Sequence, residues 1–385
     1  MRVLHLGFED PCMPGAGGGS VRTHEINRRL VAGGFRVTVL TTRYPGWEER
    51  VQDGVHYIPI GVGRGSNRLT RLAGYVMRLP FEVRRRRSTT ELVVEDFFAP
   101  FSTMAAPLWT GRPTIGIVQW LHATEKARQY RLPLHWIERL GVRTHHRLIS
   151  VSQGIGERLK ELNANLHVDV IGNGVDPGMW EIGPKLGNDV LFIGRLERGH
   201  KGLDLLLEAW TQASTRISGK LLIAGTGPDE DWLHGAIQDA GLADRVQMLG
   251  WLSGARKFRA ISEARLLVVP SRHETFGLVA IDALAAGTPV VAFDIPCLRE
   301  IIPPGVGWVV KAFDVKEFAD QVVRSYALEG LEQVAAQGRK FAAGYSWDAL
   351  AKLQAQAYAA ALRAHRTQGS LPGGGKSLFL KELEG

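Results

Sequence analysis

Arg195 and Lys201 are the side chains whose surroundings specify chemistry most directly. They lie in Phe192-Ile193-Gly194-Arg195-Leu196-Glu197-Arg198-Gly199-His200-Lys201-Gly202, where an aliphatic run gives way to a glycine-marked turn and then a helix. Both cations, with Gly194 beside them, therefore fall at the carboxyl edge of a strand. Ligands of open α/β sheets bind in the crevice at that edge, and a departing nucleoside diphosphate needs its growing negative charge stabilised. Arg198 and His200 in the same stretch read as solvated surface groups.

A second loop offers backbone amides instead of cations. Gly15-Ala16-Gly17-Gly18-Gly19-Ser20 follows the first apolar run and precedes a helix expected to begin near Val21. Amides of Gly17, Gly18 and Gly19 could face a phosphate or sugar at that helix N-terminus; the same residues would also serve as a plain turn. They do not form GxGxxG, and the next strand ends in Leu40-Thr41-Thr42-Arg43, with no acidic residue to hold a ribose. This sets the loop apart from a nicotinamide site. Asp229 and Asp231, the one Asp-x-Asp pair, read as acidic residues opening a helix, so no metal site is expected.

Elements that could position these groups alternate along the chain. Short apolar runs at 2–6, 36–40, 55–60, 92–94, 114–118, 148–151 and 168–171 are separated by helical stretches, and the pattern restarts at 189–193, 221–224, 246–249, 266–269, 289–292 and 308–310. Continuous apolar runs suit strands buried on both faces, and βα alternation implies parallel sheets. The expected fold class is α/β with two Rossmann-like, doubly wound domains. Turn formers cluster near 174–188, which places one domain at 1–175 and the second at 186–345. A helix at 346–366 is expected to pack back toward the first domain, and 367–385, glycine-rich and charged, to form a disordered tail.

Composition narrows the class further. The chain has 385 residues, 45% hydrophobic and 22% charged, enough for two cores. No apolar run reaches the roughly 20 residues of a membrane span, and the N-terminal run is too short for a signal peptide. Cys12 and Cys297 lie far apart without metal-ligand spacing, which points to a reducing, cytoplasmic setting.

The net charge of +8 calls for anionic partners: nucleic acid, acidic lipid or a phosphate-bearing small molecule. Nucleic acid is disfavoured, because the dense run 84–87 has one nearby aromatic, Phe81, where stacking surfaces would be needed. Residues 64–87 carry Leu69, Leu72, Val76 and Leu79 at helical spacing between arginines. Such a segment can lie on anionic lipid at the inner membrane face, or form a core-facing helix with a solvated outer side.

The most informative segment is 270–292, Pro-Ser-Arg-His-Glu-Thr-Phe-Gly-Leu-Val-Ala-Ile-Asp-Ala-Leu-Ala-Ala-Gly-Thr-Pro-Val-Val-Ala. A strand, an acidic residue, Phe-Gly, a helix with a second acidic residue eight positions on, and Ala-x-Gly-x-Pro-Val together resemble the retaining glycosyltransferases of family 4, which have the GT-B fold. The likeness extends over most of the chain: the early glycine loop, Ser150-Val151-Ser152, Gly172-Asn173-Gly174-Val175-Asp176, Gly194-Arg195 through Lys201-Gly202, and Gly225-Thr226-Gly227-Pro228.

The resemblance implies that Glu274 binds the donor sugar's hydroxyls, Asp282 the ribose, and Arg195 with Lys201 the diphosphate. Eight helical residues would separate the two carboxylates by roughly 12 Å. The stretch Thr275, Phe276, Gly277, Leu278 would open the helix, and its amides would cap the phosphates. Two positions depart from the family pattern. Asp282 stands where Glu is usual. The acceptor-domain histidine near the anomeric carbon would fall at Gln119 or Trp120, whereas the nearest histidine is His122, which could act catalytically or be structural.

The implied activity is metal-independent, retaining transfer of a hexosyl group from a nucleotide sugar to an acceptor hydroxyl. The acceptor could be a saccharide, a lipid-linked sugar or a small molecule, and no cofactor is expected. The donor would bind the second domain and the acceptor the first, with cleft closure excluding water. The alternatives are a non-catalytic nucleotide-sugar-binding GT-B protein and a GT-B hydrolase or phosphorylase-like enzyme.

Overall fold

The computed structural model describes residues 1–369 except 15, 17, 64, 66, 98–104 and 122–133, and leaves the side chains of 68, 69, 134, 135 and 367–369 undescribed. Gly17, His122 and the tail 370–385 thus lie outside the described residues. The chain divides into two compact units. Unit 1 comprises Met1–Ile149, Leu159–Asp169 and the chain from Ala351 onward; unit 2 comprises Ser150–Arg158 and Val170–Leu350.

Unit 1 holds β1 (Arg2–Leu6), β2 (Arg36–Thr42), β3 (Arg50–Gln52), β4 (Val55–Ile60), β5 (Leu92–Asp96), β6 (Thr114–Val118), β7 (Arg147–Ser150) and β8 (His167–Val170), whose last residues count with unit 2. The strand order is β3-β4-β2-β1-β5-β6-β7-β8. β1 pairs in parallel with both β2 and β5, so the order reverses there, while the short β3 runs antiparallel to β4. β-Branched and aliphatic residues dominate these strands because both faces are covered: Val3, Leu4, Val39, Leu40, Val93 and Ile115 are buried.

Helix Arg68–Arg86 turns Leu72, Tyr75, Leu79 and Val83 into a core with Leu4, Leu6, Leu40, Ile60 and Val93. The apolar stripe that could have met lipid therefore faces the sheet. Pro80 lies within this helix, and outside remain Met77 and Phe81, the latter 72% exposed. Among the described residues no helix is long and apolar enough to cross a membrane.

Unit 2 holds β9 (Val190–Ile193), β10 (Leu221–Ala224), β11 (Val246–Gly250), β12 (Leu266–Val269), β13 (Val290–Phe293) and β14 (Gly307–Val310), ordered β11-β10-β9-β12-β13-β14. Its detailed pairings are parallel, and the order reverses between β9 and β12. A crevice opens outside the carboxyl ends of the strands at such a reversal.

The stretch after β8 belongs to unit 2 because its contacts lie there. Val175 N donates to Tyr345 O, and a side chain at Gly174 would collide with Trp347. Further on, the Arg339 guanidinium donates to the carbonyls of Trp180, Ile182 and Ala285, fixing the turn-rich connection to unit 2. Helix Trp347–Gly369 begins in unit 2, and from Ala351 it counts with unit 1.

Candidate active site

Two strand ends at the reversal in unit 2 build the site. β9 leads into Gly194-Arg195-Leu196-Glu197 and the short helix Arg198–Lys201; β12 leads into the segment carrying Ser271 and Glu274. Because β9 and β12 are paired, Leu191 opposite Leu267, these loops emerge side by side. Lys201 Nζ stands 2.5 Å from Glu274 Oε1, which also accepts from Ser271 Oγ at 2.9 Å. Both partners keep some exposure, 24% for the lysine side chain and 12% for the carboxylate. A cation and a carboxylate are thus paired where a ligand can replace either partner.

Several contacts hold the two loops in register. Arg272 N and His273 N both donate to His200 O, and the Arg272 guanidinium makes two 2.7 Å hydrogen bonds to the Asp204 carboxylate. That pairing draws the Asp204 carboxyl below its ordinary value, the Arg272 hydrogen bond being the main favourable cause. Asp229 has a structural task here: its Oδ2 accepts from Arg198 N at 2.6 Å, tying the loop after β10 to the helix that carries Lys201. Among the described residues no three His, Cys, Asp or Glu gather as a metal site.

Gly194 and its neighbours are explained by backbone proximity. Gly225 has φ +144°, and a Cβ there would stand 1.8 Å from Gly194 O, so the β9 and β10 loops touch main chain to main chain. The Lys201 stem passes over Gly194 at 3.8 Å from where a Cβ would be. Arg195 does not join Lys201 and Glu274 directly: its side chain is 67% exposed and lies 3.5 Å from Glu197 Oε2.

The two acidic residues of the segment 270–292 occupy different settings, and the expected geometry between them is corrected. Helix Leu278–Ala286 begins only after Gly277, whose φ of +90° is left-handed and stops the helix from reaching back to Phe276. Glu274 therefore sits in irregular chain, and only the four steps from Leu278 to Asp282 rise helically, about 6 Å instead of 12. Phe276 lies outside the first turn, buried against Tyr345 at 5.9 Å between ring centroids. Thr275 and Leu278 are exposed beside it.

Asp282 lies on a helix buried almost all round, so its charge requires a partner. Lys257 Nζ lies 2.7 Å from Oδ2, and Asp176 N donates to Oδ1 at 3.2 Å. Burial raises its pKa, Lys257 opposing. The structure thus groups Lys201, Glu274 and Ser271 on one side and Asp282, Lys257 and Asp176 on another. Ser271 and Lys257 were not legible as site residues, since neither stands in a spacing that announces its partner. Cys297 Sγ lies 3.3 Å from Glu274 O, and burial, reinforced by the Glu274 charge, pushes its thiol up to about 12.

In unit 1 the helix after the glycine loop spans Gly18–Ala32, starting earlier than expected, with Gly18 and Gly19 in its first turn. A Cβ on Gly19 would meet the Gln119 side-chain amide at 3.0 Å. The glycine loop and the end of β6 are therefore neighbours.

Known proteins resemble both halves of this chain. The Glycosyltransferase Family 4 description matches residues 16–178 and the Glycosyl transferases group 1 description matches residues 183–341. A GDP-mannose:cellobiosyl-diphosphopolyprenol alpha-mannosyltransferase of Xanthomonas campestris is 30% identical over 286 residues, covering 71% of this chain and 74% of its own. A glycogen synthase of Mycobacterium tuberculosis is 26% identical, covering 95% of this chain and 96% of its own.

Among solved structures, sucrose-phosphate synthase from Thermosynechococcus elongatus superposes with a TM-score of 0.76 at 21% identity, over 94% of this chain and 99% of that one. Anabaena Alr3699/HepE in complex with UDP and glucose superposes with a TM-score of 0.71 at 18% identity, over 94% and 100%. Two parallel-sheet α/β units and matches spanning both halves make one case: this chain belongs to the family 4, group 1 glycosyltransferases of GT-B fold.

Proposed function

We infer that this glycosyltransferase takes its sugar from a nucleotide-diphosphate donor bound on unit 2 and transfers it, with retention and without a metal ion, to a hydroxyl acceptor bound on unit 1. The observation that carries this reading is the Lys201–Glu274 pair at the reversal between β9 and β12. An incoming diphosphate competes for Lys201, and the released Glu274 carboxylate then accepts hydrogen bonds from the sugar's hydroxyls. Arg195, exposed on the same loop, adds a second cation to the leaving group. These two cations supply the charge stabilisation that a metal would otherwise provide.

In the proposed step the bond from the anomeric carbon to the donor's phosphate oxygen breaks, and a bond to the acceptor oxygen forms on the same face. The acceptor's proton passes to the departing phosphate, and nucleoside diphosphate is released. Asp282 enters through Lys257: the donor's ribose is met by this ion pair as a unit, the lysine being its more exposed member. The relative named for GDP-mannose and the neighbour solved with UDP and glucose support a nucleoside diphosphate as the shared donor element.

Thermal stabilisation against a panel of nucleoside diphosphates and their sugars tests the donor. A ligand at a hundred times its Kd stabilises by about 2.7 kcal/mol, and no shift across the panel would remove the donor assignment. Nuclear magnetic resonance of the product then reads the anomeric configuration, and transfer in the presence of EDTA reads the metal requirement. Release of nucleoside diphosphate only when acceptor is added separates a transferase from a hydrolase.

A further inference from the structure

Unit 1 has its own strand-order reversal, between β1 and β5, and a charged network is built into it. Asn27 Nδ2 donates to His5 Nδ1 at 3.1 Å, which leaves the proton on His5 Nε2 to donate to Asp96 Oδ1 at 3.0 Å. Thr23 Oγ1 donates to Asp96 Oδ2 at 3.4 Å. Arg22, fully buried, donates from Nη2 to Gln354 Oε1 at 3.0 Å and contributes an attractive charge toward Asp96. Burial lowers the pKa of this guanidinium to about 10, Tyr358 and Asp96 opposing.

The neighbouring residue shows that the arrangement around Asp96 is not simply a buried ion pair. Strand alternation points Glu95 and Asp96 to opposite faces. Glu95 is sealed, at 0% exposure, 2.8 Å from an equally sealed His145. Asp96, the last residue of β5, keeps 17% of its side chain exposed at the carboxyl edge. There it pairs in register with Ile117 on β6, and Phe97 N donates to Ile117 O. Two residues beyond Ile117 stands Gln119, whose amide lies over the first turn of helix Gly18–Ala32 at Gly19. A carboxylate accepts hydrogen bonds from hydroxyls, and a carboxamide both donates and accepts. Asp96 meets helix Gly18–Ala32 at Thr23 and Gln119 meets it one turn earlier at Gly19, and such a pair of groups fits a polyhydroxylated, uncharged surface.

We propose that Asp96 and Gln119 bind hydroxyl groups of a saccharide acceptor, with His5 and Asn27 as positioning residues for the Asp96 carboxylate. This rests on the reading that unit 1 takes the acceptor, and it adds the ligand class and the residues.

Ligand-observed NMR on the full chain tests it with maltose, mannobiose, methyl glucoside and glycerol as probes, alongside thermal shift with UDP and GDP. The wild-type chain is expected to bind at least one of the saccharides. Asp96→Asn and Gln119→Ala should each weaken that binding about tenfold or more while the nucleotide shift stays unchanged. Gln119 is half-buried outside the core, so its variant carries the test if Asp96→Asn fails to fold. Saccharide affinity within twofold of wild type in the folded variants, or no saccharide binding by the wild-type chain, would overturn the proposal. Absence of a nucleotide shift would count against the donor reading alone, because the saccharide arm is read without donor.

Discussion

The strand-order reversals of the two units are alike in topology and unlike in where they keep their charges. In unit 2 the ionised partners sit beyond the strand ends: Lys201 follows β9, Glu274 follows β12, and both remain partly open to solvent. In unit 1 the two carboxylates and the histidine beside Asp96 lie within the strands themselves. His5 is in β1, Glu95 and Asp96 close β5, and only Asp96 keeps measurable exposure. Shared topology therefore decides where a crevice opens, and one or two residues of offset decide whether a charge can exchange partners. Loop charges can be taken up by a ligand, whereas a strand charge is locked between the faces of the sheet unless, like Asp96, it stands at the strand's open end.

The comparison breaks first on the sealed pair. Removing one partner from a sealed polar contact leaves the other unsatisfied and typically costs about 1–3 kcal/mol, more where the group is charged, so Glu95→Ala should lower the denaturant midpoint substantially, while Glu95→Leu with His145→Leu should recover most of the loss. An unchanged midpoint in Glu95→Ala would mean that the pair is not needed for stability.

The opposite signature is expected in unit 2. Lys201→Ala and Glu274→Ala should each reduce turnover about 10²–10³-fold, with the ligand-free melting temperature nearly unchanged. A drop in melting temperature with turnover retained would reverse the contrast. Arg195→Ala, the more exposed of the two cations, should also reduce turnover, and intact turnover would take it out of the site.

A smaller effect concerns the Asp204–Arg272 pair that positions the Glu274 loop. The Asp204 carboxyl lies below its ordinary 3.8 in the native chain, so its stabilisation is complete above that value and is lost as pH falls through the lowered native one. Asp204→Asn should flatten the acid limb of stability against pH, by about 1 kcal/mol or less given solvent screening.

The mildest test is chemical. At pH 8 exposed Cys12 should alkylate readily, while buried Cys297, its thiol held near 12, should stay unmodified. Mass spectrometry of the alkylated chain reads both outcomes.

Much of the fold was legible because the central strands of both sheets pair in parallel and are covered on both faces. Runs such as Leu266-Leu267-Val268-Val269 are continuously apolar for that reason, and they announce their strands without reference to partners. Lys201 was legible too, since the helix that carries it follows a recognisable strand and turn. Asp282 was legible only as an acid at a spacing. Its partners Lys257 and Asp176 lie 25 and 106 residues away, and nothing local marks either of them. The helix start at Leu278 was missed because a left-handed Gly277 cannot be told from a helical glycine by type alone. The arginine-rich segment was ambiguous for a different reason: an amphipathic period is the same for a lipid surface and for a sheet, and burial of Leu72, Tyr75 and Leu79 follows from what stands opposite.

The sequence by itself determined two βα series, the strand ends that carry Arg195, Lys201 and Glu274, and a family resemblance spread over both halves. These depend on residue type and short spacing, which the chain states directly. Tertiary structure alone decided that Glu274 pairs with Lys201 while Asp282 pairs with Lys257, and that Asp96 stands open where Glu95 is sealed. Those outcomes depend on strand order and side-chain facing, which bring together residues that are distant in the chain and separate residues that are adjacent.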